Sequence, residues 1–178
     1  DVLFNYIFEW GEAKDSYTVE HPKRLSFTDN IEYINDGGND LIRLIGEDKM
    51  IPAYYASSGV QSAMPLDVMA DYFTSLVGKN ASVSKHDLAN TLARYLGKDK
   101  ELTNEMLKSI SNKMKYQSVQ LFIEEPEQNL YPDSQRNLTI NLVCALKKAM
   151  PKGREDSMLV MTTHSPYILS TLNVLIAE

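Results

Sequence analysis

The nine residues Val119-Gln120-Leu121-Phe122-Ile123-Glu124-Glu125-Pro126-Glu127 leave a folding chain few options. The first five are rich in apolar and β-branched side chains and read as a short buried strand. Two consecutive carboxylates follow, and then Pro126, which cannot donate to a ladder and so stops the strand. Charged side chains are rarely buried unless they pair or face a metal. A strand that ends in Glu124 and Glu125 delivers them to the edge where ligands bind in open α/β sheets. The same residues would equally suit an acidic strand end that merely reaches solvent, so the flanking sequence has to decide.

Downstream, Gln128-Asn129-Leu130-Tyr131-Pro132 reads as a loop. A long helix begins at Pro132 or Asp133, carries Leu138, Leu142, Ala145 and Leu146 on one face, and ends near Met150-Pro151. Cys144, among apolar neighbours in that pattern, reads as a buried structural thiol rather than a nucleophile. Met158–Thr162 is a second buried strand, unalternating as parallel strands are. Thr163-His164-Ser165-Pro166 closes it and opens a short helix through Leu172, and Asn173–Ala177 reads as a third strand. This β-α-β-α-β order predicts a parallel sheet. Consecutive units of that kind bring Glu124, Glu125 and His164 to one sheet edge, a set suited to phosphoryl chemistry. A lone histidine after a strand is otherwise more often structural.

Upstream, residues 2–56 read as β-rich. A strand over 2–10 ends at Gly11. Ser16–Glu20, Arg24–Thr28, Ile31–Ile34, Leu41–Ile45 and Met50–Tyr55 are short extended candidates, separated by His21-Pro22, by Asp36–Asp40 and by Gly46-Glu47-Asp48. The expectation is an antiparallel meander of unspecified register. The small polar run Ala56–Ser62 precedes an apolar-periodic helix through Leu66, Met69, Ala70, Tyr72, Phe73 and Leu76, ending at Gly78. A Ser/Gly loop at a helix N-terminus is an anion site or an ordinary serine cap. Ser84 with Asp87 resembles a capping box for a helix that closes at Gly97, and Leu102, Met106, Leu107, Ile110 and Met114 form a second stripe. The lysines around these helices are interspersed with Asp99, Glu101 and Glu105, which fits a solvated face better than a nucleic-acid surface.

At 178 residues the chain suits one domain with a real core. It holds no apolar run near the ~20 residues a membrane span needs, and its start lacks a signal-peptide pattern. A first residue of Asp, followed at once by strand-like sequence, predicts a longer polypeptide with an upstream portion. The single cysteine forbids an internal disulfide and makes a reducing, cytoplasmic setting the default. A net charge of −6 gives no overall footprint for nucleic acid.

Taken together, the Ser-Ser-Gly-x-Gln loop, the Glu-Glu strand end and the Thr-Thr-His strand end resemble the C-terminal half of an ABC-type ATPase head, in the branch of OLD-family, RecF-like and SMC-like ATPases. Leu121–Glu127 resembles the Walker B strand of that branch, Ser57-Ser58-Gly59-Val60-Gln61 its signature loop, and Thr163–Pro166 its switch-histidine loop. Asn129-Leu130-Tyr131-Pro132 falls at the D-loop, where relatives carry His-Leu-His-Pro, and Val60 stands where a polar residue is common. The resemblance covers roughly residues 50–178. The implied fold is α/β: a parallel-sheet, P-loop NTPase-like core in the C-terminal half, an N-terminal antiparallel β part and a helical insert. The parts would divide at 1–56, 57–116 and 117–178 of one partial ATPase domain.

The resemblance also implies roles. Glu124 would hold the Mg²⁺ shell through water, since Mg²⁺ keeps its waters and needs few carboxylates. Relatives often have Asp there. Glu125 would orient or deprotonate the attacking water, and His164 would hydrogen-bond the γ-phosphate. Ser57, Ser58, Gly59 and Gln61 would meet ATP bound by the other protomer of a homodimer. DNA is a partner that charge does not indicate. No Gly-x-x-x-x-Gly-Lys-Ser/Thr occurs in these residues, because Gly78-Lys79-Asn80 and Gly97-Lys98-Asp99 lack both the earlier glycine and the hydroxyl. The expectation is that the chain alone binds ATP poorly and that an upstream portion carries the P-loop. Two alternatives stand beside this: a non-catalytic interaction module that retains the fold, and a metal-dependent nuclease using Glu124, Glu125 and Glu127.

Overall fold

The computed structural model describes residues 9–80, 115–150 and 156–177. Four short strands, β1 (Lys23–Arg24), β2 (Ile31–Asp36), β3 (Asn39–Leu44) and β4 (Met50–Pro52), pair in sequence order as an antiparallel meander. The register follows from Gly37 and Gly38, whose φ angles of +57° and +89° close a two-residue turn with Asp36 opposite Asn39. Positive φ at both turn positions matches the twist of the flanking strands, and glycine adopts it freely. Ser16–Glu20 and most of Arg24–Thr28 are turns rather than strands, and the β4 strand gives way at Ala53–Tyr55 to a single 3₁₀ turn.

The expected strand over 2–10 is not what its described end forms. Residues 9–14 are helical (α1), with Gly11 inside the helix. Trp10 and Ala13 stand at i and i+3, one face of a helix; the Trp10 ring lies 5.7 Å from that of Tyr33, and Ala13 is fully buried. Residues 2–8 lie outside the described structure, as do the capping box at Ser84, the helices expected across 84–114 and Lys98, Lys100, Lys108 and Lys113. Around that segment, Asn80 bridges antiparallel to Lys115, so the chain leaves and returns at one point.

Helix α2 (Ser58–Leu76) begins within the small polar run and stops just before Gly78, whose φ of +84° ends it. Strand β5 (Gln120–Glu124) pairs in parallel with β6 (Met158–Thr162), joined by α3 (Pro132–Ala149). Helix α3 runs as its periodicity predicts and buries Leu138, Thr139, Leu142, Ala145 and Ala149 on one stripe. Cys144 is exposed, a correction to the buried thiol: at about 100° per residue it lies roughly 200° round the helix from Leu142.

Two further expectations are overturned. The third strand at Asn173–Ala177 is the end of one helix, α4 (Pro166–Ala177). Ile168, Thr171, Leu172 and Leu175 fall at i, i+3, i+4 and i+7 and are its covered side, which prevails over the β-branched composition of the tail. Neither parallel strand is buried on both faces. Leu121, Ile123, Leu159 and Met161 face inward, while Phe122, Met158 and Val160 alternate to an open side. One core serves all of this. Tyr33 and Ile42 of the meander, Val60, Met64 and Val68 of α2, Ile123 of β5, and Leu138 and Leu142 of α3 pack in a single cluster. The architecture is mixed α/β: an antiparallel sheet and a two-stranded parallel sheet sharing helices.

Candidate functional site

The parallel register sets Glu124 of β5 beside Thr162 of β6, and the ladder runs one bond further, with the Glu125 N–H donating to the Thr162 carbonyl at 2.9 Å. Glu125 then turns sharply, at φ +44°, a left-handed conformation that is uncommon and strained for a residue with a Cβ. That turn brings its carboxylate to the next loop. His164 Nε2 lies 3.4 Å from Glu125 Oε1, and the His164 side chain is 89% exposed. Gln128 Nε2 donates to the other oxygen, Oε2, at 2.9 Å. Glu124 is exposed at the same edge. Of the three residues expected at this edge, Glu125 and His164 are in contact, and Glu124 ends the strand beside them.

What ties the two loops together is Glu127. Its Oε1 accepts from the Thr163 hydroxyl at 2.8 Å and from the His164 backbone N–H at 2.7 Å. Oε2 is shut off from solvent with no hydrogen-bond partner. Burial opposes the charge on this carboxyl, but bonds from its own backbone, from the His164 and Ser165 N–H groups and from Thr163 outweigh burial and hold its pKa below the usual range. A closed ring of hydrogen bonds runs outward from it. Ser165 N–H donates to Thr163 Oγ1, Ser165 Oγ bonds Gln135 Oε1, Gln135 Nε2 donates to the Leu130 carbonyl, and Leu130 N–H returns to the Glu127 carbonyl. Ser165 Oγ also accepts from Tyr167 N–H and so caps α4. The nuclease alternative drew on Glu127 as a free ligand, whereas Oε1 is committed to the histidine loop.

The α2 N-terminus forms a separate cluster. Ser57 Oγ accepts from the Val60 N–H at 3.4 Å, a serine cap. Gln61 Nε2 donates to the carbonyls of Tyr54 and Ala56 at 2.9 and 2.8 Å, so this amide fixes the turn into the helix. Gly59 is there because nothing larger fits: a Cβ would stand 2.5 Å from the Asn129 carbonyl oxygen and 3.3 Å from Leu130 Cδ2. Asn129 Nδ2 donates to Ser62 Oγ at 3.1 Å. Ser57, Ser58 and Gly59 share a cleft of about 610 Å³ with Thr28, Asn129, Tyr131 and Ser134. Glu125 and His164 do not line it. The loop 125–131 therefore has the acidic strand end at one extremity and the serine loop at the other.

A family model described as an AAA ATPase domain matches residues 11–169, nearly the whole chain. The chain belongs to the AAA ATPase domain family. No curated protein matches it. ATP hydrolysis is the general activity of such domains, and the mixed α/β architecture with adjacent parallel strand ends is consistent with it.

Within this AAA ATPase domain one buried acid escaped the sequence reading. Asp67 of α2 has no exposure, accepts from Ser26 N–H at 2.6 Å and from Asn141 Nδ2 at 2.8 Å, and lies 3.7 Å from Lys23 Nζ. Desolvation raises its pKa, with Lys23 and Ser26 opposing. It joins the β1 region, α2 and α3, and so holds the serine loop's helix against the helix that follows Glu125. The periodicity of α2 gave no sign of it beyond an acid lying among apolar positions. As to metal, the described residues hold no group of three or more His, Cys, Asp or Glu able to cage an ion. Mg²⁺ carried by nucleotide phosphates needs only one or two carboxylates, and the carboxylate of Glu124 is exposed at the strand end.

Proposed function

We propose that these residues supply the hydrolytic side of an ABC-type ATPase head of the OLD, RecF-like and SMC-like branch, acting on Mg-ATP between two copies of the complete protein. The observation that carries this reading is the Glu125–His164 contact at the ends of adjacent parallel strands, made by a strained turn at Glu125. Bound Mg-ATP would supply the electrophilic γ-phosphorus and its charge-neutralising cation. The protein's part is positioning and electrostatics, as in phosphoryl transfer generally. Glu125 holds the attacking water and takes its proton. The exposed His164 imidazole would donate to a γ-phosphate oxygen, and Glu124 would help hold the Mg²⁺, which supplies charge neutralisation. No motif that cradles the β- and γ-phosphates lies within these residues.

The serine loop opens on its own cleft, away from Glu125 in the same copy. That separation supports Ser57, Ser58 and Gly59 serving the nucleotide of a partner copy, with dimerisation driven by ATP. Service in DNA maintenance or phage defence follows this branch by analogy. Mixing two inactive full-length variants tests the arrangement. Glu125→Gln and Ser58→Arg protomers, each inactive alone, should together recover up to about a quarter of the wild-type rate, because half of randomly mixed dimers carry one intact composite site. Mixing without any recovery contradicts a site shared between copies.

A further inference from the structure

The His164 side chain is 89% exposed and meets Glu125 Oε1 at 3.4 Å. The loop that bears it is tied down through its backbone and its neighbour's hydroxyl. Its backbone N–H at His164 and its hydroxyl at Thr163 both donate to one oxygen of Glu127, at 2.7 and 2.8 Å. Charge-assisted bonds of this kind are about twice as strong as neutral ones. Glu127 in turn sits in the turn that follows Glu125, two residues away, with Gln128 N–H closing onto the Glu125 carbonyl at 3.2 Å. The hydrogen-bond ring through Thr163, Ser165, Gln135 and Leu130 returns to the Glu127 backbone, so the residue is held at its Oε1 and at its own carbonyl.

We propose that Glu127 is a positioning residue that ties the histidine loop to the β5–α3 turn and thereby sets the His164 imidazole against Glu125. It does not touch the reacting atoms; it acts through His164. The inference rests on the reading of Glu125 and His164 as the hydrolytic pair.

The test is a double-mutant cycle in the full-length protein. Glu127→Ala should lower kcat for ATP at least about tenfold, leave KM within about twofold, and accelerate hydrogen exchange at the His164 amide. Glu127→Gln keeps an oxygen that accepts both bonds and should restore part of the loss; it also carries the test should Glu127→Ala not fold. In a His164→Ala background, Glu127→Ala should change kcat by less than about twofold, because residues acting as one unit are non-additive. A merely structural glutamate would lower turnover in both backgrounds alike. Undiminished turnover in Glu127→Ala, unchanged exchange at His164, or effects that multiply would each overturn the proposal. If His164→Ala itself hydrolyses ATP at the wild-type rate, the hydrolytic reading of the histidine loop fails, whatever Glu127 does.

Discussion

A carboxylate cut off from water has to be met by donors, and Asp67 is met by three: the Ser26 N–H, the Asn141 amide and Lys23. Asp67→Ala strands the first two and opens a cavity, so it should destabilise the fold by about 3 kcal/mol in denaturant unfolding. The pH dependence runs in a definite direction. A raised native pKa means that the folded state binds the proton more readily, so this contribution is full below the ordinary aspartate range and is lost as pH rises through the raised value. The stability of the wild type relative to Asp67→Asn should therefore fall as pH rises through that window; a rise would contradict the burial assigned to Asp67. Glu127 runs the other way. Its depressed pKa contributes stability above the ordinary glutamate range, lost as pH falls through the native value. Both acids were in plain view in the sequence, but burial and donor geometry are set by segments far away in the chain, and no local pattern carries them.

At the level of elements, the strands and helix around Glu125 were legible because their signals are local. An apolar run stopped by Glu-Glu-Pro, a long 3.6-residue stripe and a second apolar run gave β5, α3 and β6 close to their true bounds. The α4 tail was misread because a five-residue apolar run fits either a strand or one helical face. The open side of β5 and β6 was misread for a different reason: an unalternating apolar sequence says that both faces are apolar, not that both are covered within one chain. The serine loop was read with two roles open, and the structure makes Ser57 a cap while leaving Ser58 beside a cleft. Gly59 gives that junction a testable constraint. In a free helix alanine gains about 1 kcal/mol over glycine. Here its Cβ would meet a backbone carbonyl at 2.5 Å, which has to move. Gly59→Ala should thus destabilise by about 1–3 kcal/mol, lowering the melting temperature by about 2–4 °C per kcal/mol. A rise in melting temperature would refute the close packing of α2 on the 129–131 loop.

For the molecule as a whole, one core joins the meander, α2, β5 and α3, and the acidic strand end and the serine loop are held at opposite ends of loop 125–131. The 178-residue chain by itself should bind Mg-ATP weakly, with calorimetry giving no micromolar site, because its sequence holds no loop of the kind that cradles phosphates. Micromolar binding would overturn that expectation. The most direct measurement is steady-state turnover and nucleotide affinity for Glu125→Gln in the full-length protein. Turnover should fall at least about 100-fold while Mg-ATP affinity stays within about threefold. Hydrolysis at the wild-type rate would contradict the assignment of Glu125 as the residue that activates water.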